Sequence, residues 1–212
     1  MTNDPAARFH DGQLEAIVEL VQNNRQMLVV QKTGWGKSAV YFIATKLLRE
    51  KNKGPSIIIS PLIALMRNQI QSASRLGLRV VTVNSSLSQQ DRAESEQKIT
   101  SGQVDAILIA PEQLANENFV QTVLNTVLSK VSLFVVDEAH CISDWGHDFR
   151  PDYRRIVRIL QAMPKNLPVL ATTATANDRV VNDIQSQLGQ HIIISRGELT
   201  RQTLHLQTLP LM

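Results

Sequence analysis

The sequence predicts an α/β fold with a mostly parallel, doubly wound sheet flanked by helices, on three observations. Short β-rich runs alternate with helical patterns along the whole chain. Most of those runs are continuously apolar, without in/out alternation, as strands covered on both faces read. The helical segments carry apolar stripes at three- and four-residue spacing.

The strand candidates, in order, are Met27–Val30, Ser56–Ile59, Arg79–Val83, Val104–Ile109, Leu133–Val136, Pro168–Leu170 and Ile192–Ile194. A short further strand is expected at Leu204–Leu206. The first helical stripe is Leu14, Ile17, Val18 and Val21; the second is Val40, Ile43, Ala44, Leu47 and Leu48. The third, Leu62, Met66, Ile70 and Ala73, is expected to open with Ser60 as N-cap and Pro61 in the first turn. Polar Leu87–Ser101 reads as an exposed helix. Three more stripes follow: Val120, Val123, Leu124, Val127 and Leu128; Ile156, Ile159 and Leu160; Val180, Ile184 and Leu188.

Bulk properties bound the function. The 212 residues suit one large domain. Apolar content of 43% and charged content of 19% are globular values. A net charge of +3 permits nucleic-acid binding without arguing for it. A single cysteine, Cys141, excludes an internal disulfide and suits a reducing compartment; it reads as a small core filler. No segment reads as a signal peptide, and none approaches the roughly 20 apolar residues of a membrane span. The expectation is a cytoplasmic protein with no membrane partner.

Two motifs carry chemistry. MLVV runs into QKTGWGKS and then a helix, the strand–loop–helix context of a phosphate loop. Thr33, Gly34 and Gly36 belong to its turn, where backbone N–H groups can face phosphate oxygens at a helix N-terminus. Lys37 is expected to reach the β- and γ-phosphates, and the Ser38 hydroxyl to bind magnesium. The strict pattern fails at Gln31, where a glycine would stand, so the loop is of a shorter TGxGKS kind.

Further on, LFVVDEAH is a buried strand ending in two carboxylates. Asp137 is expected to hold magnesium through its water shell, and Glu138 to orient or deprotonate the attacking water. His140 is positioned to sense the γ-phosphate. The cofactors read from these motifs are ATP and Mg2+.

Taken together, the segments resemble the RecQ-like DNA helicases of superfamily 2, specifically their first RecA-like motor lobe. The most specific stretch is DEAHCISDWGHDFRPDYRRI, Asp137 to Ile156. The resemblance implies an aromatic-rich loop that contacts single-stranded DNA and couples this contact to ATP hydrolysis, here Trp145, His147, Phe149 and Arg150. Their chemistry suits the task, since aromatic faces stack on bases and arginine pairs with phosphate. FHDGQLEAI resembles the adenine-recognition motif, with Gln13 on the base and Phe9 packed near it; His10 stands where the family usually has arginine. SPLIALMRNQI and APEQL resemble segments on the DNA side, where Ser60, Arg67, Asn84 and Ser85 are expected to meet strand phosphates. ATTATAN resembles the motif that links ATP state to lobe movement, through Thr173 and Thr175; the same Thr-rich stretch is also a good cap for the helix at Asn177.

Lys32 and Trp35 depart from the family, which more often has proline and glycine there. Trp35 is too bulky to face the nucleotide and is expected to point away.

The resemblance implies residues 9–200 as a helicase ATP-binding lobe, residues 1–8 as a flexible N-terminus and residues 201–212 as the start of a linker. Its implied partners are single-stranded or forked DNA and a second RecA-like lobe, with 3′-to-5′ direction. No second set of motor motifs follows Arg196, and one cysteine cannot build the family's zinc site, so the segment reads as a lone first lobe. Two other readings use the same residues: a regulatory nucleic-acid-binding module with vestigial ATP binding, and a phosphate-loop ATPase acting on other substrates.

Overall fold

The computed structural model describes residues 6–143, 153–189 and 191–198. Seven strands form one all-parallel sheet: β1 (Gln26–Val30), β2 (Ser56–Ile59), β3 (Val80–Val83), β4 (Ala106–Ile109), β5 (Leu133–Val136), β6 (Val169–Thr173) and β7 (Ile193–Arg196). Their order across the sheet is β3-β4-β2-β5-β6-β1-β7. The chain therefore leaves β1 for a distant β2, and β5 and β6 later fill the gap between them. The α/β fold class is the one expected. The expected strand at Leu204–Leu206 lies outside the described residues.

The strands are apolar throughout because each face has its own core. Leu28, Val30, Ile57, Ile59, Phe134 and Val136 point to one side. There they meet helices α4 (Gln89–Thr100), α5 (Glu117–Phe119), α6 (Asn125–Leu128), α7 (Arg154–Gln161) and α8 (Asp178–Leu188). Met27, Val29, Ile58, Leu133 and Val135 point to the other side, against α1 (Gln13–Val21), α2 (Lys37–Glu50) and α3 (Ile63–Ser74). Each such buried side chain contributes about 1.5–3 kcal/mol of transfer free energy. A π-helical turn, Val120–Leu124, joins α5 to α6.

Three local expectations change. Leu14 is 49% exposed, and the inner face of α1 is instead Gln13, Ala16, Ile17, Leu20 and Val21. Ser60 is not the N-cap of α3. Its N–H still donates to Ile109 O at 3.1 Å, which extends the β2 ladder, so the helix opens only at Ile63 without a side-chain cap. The strand expected at Pro168–Leu170 runs on to Thr173, because Ala171, Thr172 and Thr173 pair in register with Leu28, Val29 and Val30. The polar α4 forms as expected: Ser88 caps it, accepting from Asp91 N, and Ile99 is its buried residue. No helix among the described residues is long and apolar enough to cross a membrane.

Candidate functional site

The carboxyl ends of β1, β6 and β5 lie side by side, and the loop after each carries a singled-out motif. In an open parallel sheet this edge, at a change of strand order, is where ligands bind.

After β1, the segment Gln31–Gly36 turns back on itself, with Trp35 N–H donating to Lys32 O at 3.2 Å. Gly34 (φ 89°) and Gly36 (φ 93°) both take the left-handed conformation that a side chain resists. A Cβ on Gly36 would stand 2.7 Å from Gln13 Nε2, so a side chain here would push that amide aside. Helix α2 starts at Lys37 with no acidic residue in its first turn, leaving its positive end free to attract an anion. Lys37 Nζ folds over the loop and donates to Gln31 O at 2.8 Å. Thr33 and Gly34 are exposed, and Ser38 is half-buried at the helix start.

Gln13 reaches this loop from α1. Its Nε2 donates to Trp35 O at 2.7 Å and Gly36 O at 3.5 Å, while its Oε1 accepts from His10 N. The amide clasps the glycine loop, and Phe9, four residues earlier, is exposed. Trp35 turns away from the loop mouth, as expected. It is buried, and its Nε1 donates to Asp11 O at 3.2 Å.

After β5, Asp137 is buried and its carboxylate is held firmly. Oδ1 accepts from Thr172 Oγ1 at 2.6 Å and from Glu138 N at 3.1 Å. Oδ2 accepts from Gln69 Nε2 at 3.4 Å. Burial pushes this carboxyl above its ordinary range, against the Thr172 hydrogen bond; the adjacent Glu138 charge pushes it further up. Glu138 takes φ 50°, rare for a residue with a side chain, which turns the chain sharply into the 3-10 turn Ala139–Ile142. Its Oε2 lies 3.3 Å from His140 Nδ1.

His140 Nδ1 lies 2.9 Å from Thr173 Oγ1. That hydroxyl donates to Thr175 O at 3.0 Å and accepts from Thr175 N at 3.2 Å. With its proton committed to Thr175 O, Thr173 accepts from His140, which assigns the Nδ1–H tautomer. Glu138, His140 and Thr173 therefore form one connected unit across β5 and β6. Asn177, and no threonine, caps α8, accepting from Val180 N. Cys141 is buried in the core, as expected.

The DNA-side residues divide. Arg67 and Ser85 are exposed. Ser60 is fully buried, and Asn84 is 4% exposed. The Asn84 amide bonds Thr82 Oγ1, and its oxygen accepts from Ser86 N and Ser86 Oγ. Neither side chain faces solvent. Trp145, His147, Phe149 and Arg150 lie outside the described residues.

Four participants were missed in the sequence. Thr172 sits one residue before the noted threonine. Gln69 is a polar position beside Met66, Ile70 and Ala73 in an otherwise apolar inner stripe, and that was its signal. Tyr41 lies one turn beyond Lys37 and is fully buried. Burial, followed by the Asp137 and Glu138 charges, raises its phenol well above the ordinary value, against a hydrogen bond with Ser38. Tyr153 OH donates to Asp137 O at 3.1 Å.

Residues 10–184 match the DEAD/DEAH box helicase family. The chain is 39% identical over 180 residues to ATP-dependent DNA helicase Q5 of Rattus norvegicus, covering 83% of this chain and 18% of that protein. It is 36% identical over 180 residues to ATP-dependent DNA helicase RecQ of Haemophilus influenzae, covering 85% and 28%. It thus spans less than a third of the length of these curated relatives. Among solved structures, a hypothetical ATP-dependent RNA helicase from Sulfolobus tokodaii superposes with a TM-score of 0.68 at 19% identity, over 90% of this chain and 53% of that one. The Hef helicase domain of Pyrococcus furiosus superposes at 0.65 and 21%, over 87% and 37%. At these identities the two structures establish a shared fold.

Proposed function

Because the chain belongs to the DEAD/DEAH box helicase family, we propose that residues 9–200 are the first, ATP-binding motor lobe of a RecQ-type ATP-dependent DNA helicase. The observation that carries this reading is the convergence of Lys37, Thr173, Asp137 and Glu138 at the ends of three neighbouring strands. The whole machine would couple ATP hydrolysis to 3′-to-5′ movement on single-stranded DNA and to duplex unwinding, with a second lobe closing the site.

The donor set fits magnesium. Ser38 and Asp137 offer oxygen, and Asp137 keeps Oδ2 lightly engaged. Magnesium keeps several waters and is held by one or two carboxylates together with substrate phosphates, which is the kind of donor set these two residues offer. Bound there, the ion would neutralise charge developing on the phosphates.

The chain's own residues perform the remaining tasks. Lys37 exchanges Gln31 O for phosphate oxygens, and the loop N–H groups and the α2 terminus hold the anion. Glu138 orients a water for in-line attack on the γ-phosphorus and accepts its proton as the bond to the β–γ bridging oxygen breaks, giving ADP and phosphate. The Glu138–His140–Thr173 connection makes the β6 end sensitive to what Glu138 faces. Gln13 recognises the base while bracing the loop. Arg67, Ser85, Thr175 and the aromatic segment at Trp145, His147, Phe149 and Arg150 serve the DNA strand.

Parallel titrations with a fluorescent ATP analogue and with single-stranded DNA, at fixed salt, test this reading. Lys37→Ala is expected to weaken nucleotide binding roughly 10- to 100-fold and to leave DNA affinity unchanged. Trp145→Ala with Phe149→Ala is expected to weaken DNA binding at least about tenfold and to leave nucleotide affinity unchanged. A wild-type chain that binds neither ligand overturns the proposal.

A further inference from the structure

We propose that Gln69 is a positioning residue for Asp137, and that its buried Oε1 accepts a hydrogen from the water shell of the magnesium ion that Asp137 holds. This rests on the magnesium reading above and adds a residue to it.

Gln69 lies on the inner face of α3, three residues after buried Met66. Its Nε2 is the one hydrogen-bond donor to Asp137 Oδ2 among the described residues, whereas Oδ1 already accepts from Thr172 and Glu138 N. The 3.4 Å separation is long for such a bond and leaves room to tighten on loading. The amide cannot be reversed, since its oxygen would then face a carboxylate oxygen. So Oε1 points elsewhere, and it is buried with no partner.

Buried acceptors rarely stay unmatched. One more unmatched polar atom, Ser60 Oγ, follows Ile59, whose carbonyl accepts Asp137 N–H at 2.8 Å. An acceptor left open beside a carboxylate marks a place whose partner arrives with a ligand. Magnesium keeps several of its waters, and each carries hydrogens to donate. Outer partners of this kind orient the first ligand and tune ion affinity.

The test is the affinity of the 212-residue chain for a fluorescent ATP analogue, measured in magnesium and in EDTA. The wild type is expected to bind more tightly in magnesium. Gln69→Leu is expected to shrink that magnesium-dependent gain by about tenfold and to keep the wild-type affinity in EDTA, which shows the fold and phosphate loop intact. Gln69→Asn, which withdraws the amide by one methylene, is expected to do the same and decides the matter should the leucine variant not fold. A variant that retains the full gain, or loses affinity equally in both conditions, overturns the role of Gln69 alone. A wild type indifferent to magnesium overturns the magnesium reading together with it.

Discussion

Glu138 shows how much of the site hangs on single residues. Its left-handed backbone turns the chain immediately after β5, so that consecutive carboxylates do different things. Asp137 is buried and fastened by Thr172, whereas the Glu138 side chain remains 22% exposed and lies beside His140. A buried, hydrogen-bonded carboxylate suits ion binding; a partly open one suits water. Glu138→Gln preserves shape and removes the proposed base. It is expected to keep nucleotide affinity while hydrolysis falls by about 10²–10⁴, as read by single-turnover measurement. Unchanged hydrolysis would remove Glu138 from this role. The large ring of Trp35 is held by the Asp11 carbonyl and the α1 core, so the glycine loop keeps its turn.

Between elements, one ionic cluster stands out away from the site. Asp105, just before β4, accepts from Arg49 of α2 at 2.9 Å and from Arg79, just before β3, through both backbone and side chain. Burial alone would raise this carboxyl; the Arg79 and Arg49 hydrogen bonds override it and hold it at about 2, below its ordinary 3.8. A carboxylate held low adds stability that is complete above its unfolded value and is lost as pH falls through the folded one. Asp105→Asn is therefore expected to destabilise the protein by about 1–2 kcal/mol near neutrality. In denaturant titrations the gap to wild type is expected to close between about pH 4 and pH 2; a gap independent of pH would refute it. The pairing also joins the helix of the phosphate loop to the far edge strands.

At the scale of the molecule, the described groups proposed to meet ATP lie on one wall. Lys37, Asp137 and Glu138 share the carboxyl edge of the sheet, and in the proposed machine the second lobe would bring the cation that faces them. An opposing cation is worth roughly 10³–10⁵ in rate in phosphoryl transfer. The 212-residue polypeptide alone is thus expected to bind ATP, to turn it over slowly and not to unwind DNA. Steady-state hydrolysis with and without single-stranded DNA checks this, and brisk DNA-stimulated turnover would contradict it.

The phosphate loop and the acidic pair were legible in the sequence, because each is a short run whose residue types and strand context carry the chemistry. The fold class was legible for a similar reason: apolar runs such as Ser56–Ile59 and Leu133–Val136 can be satisfied only by cover on both faces. What tertiary structure decided was which neighbours each side chain meets. Ser60 reads as a cap until the Ile109 carbonyl claims its N–H for the sheet. Asn84 reads as a surface contact until Met66, Thr82 and Ser86 enclose it. Gln69 and Thr172 meet Asp137 across 68 and 35 residues of chain. Their meeting depends on the strand order, which sets β6 on one side of β5 and, on the other, β2, the strand that leads into α3. Local patterns determine which elements form, whereas partners distant in sequence are set by how those elements stack, and there the surroundings of Asp137 were hidden.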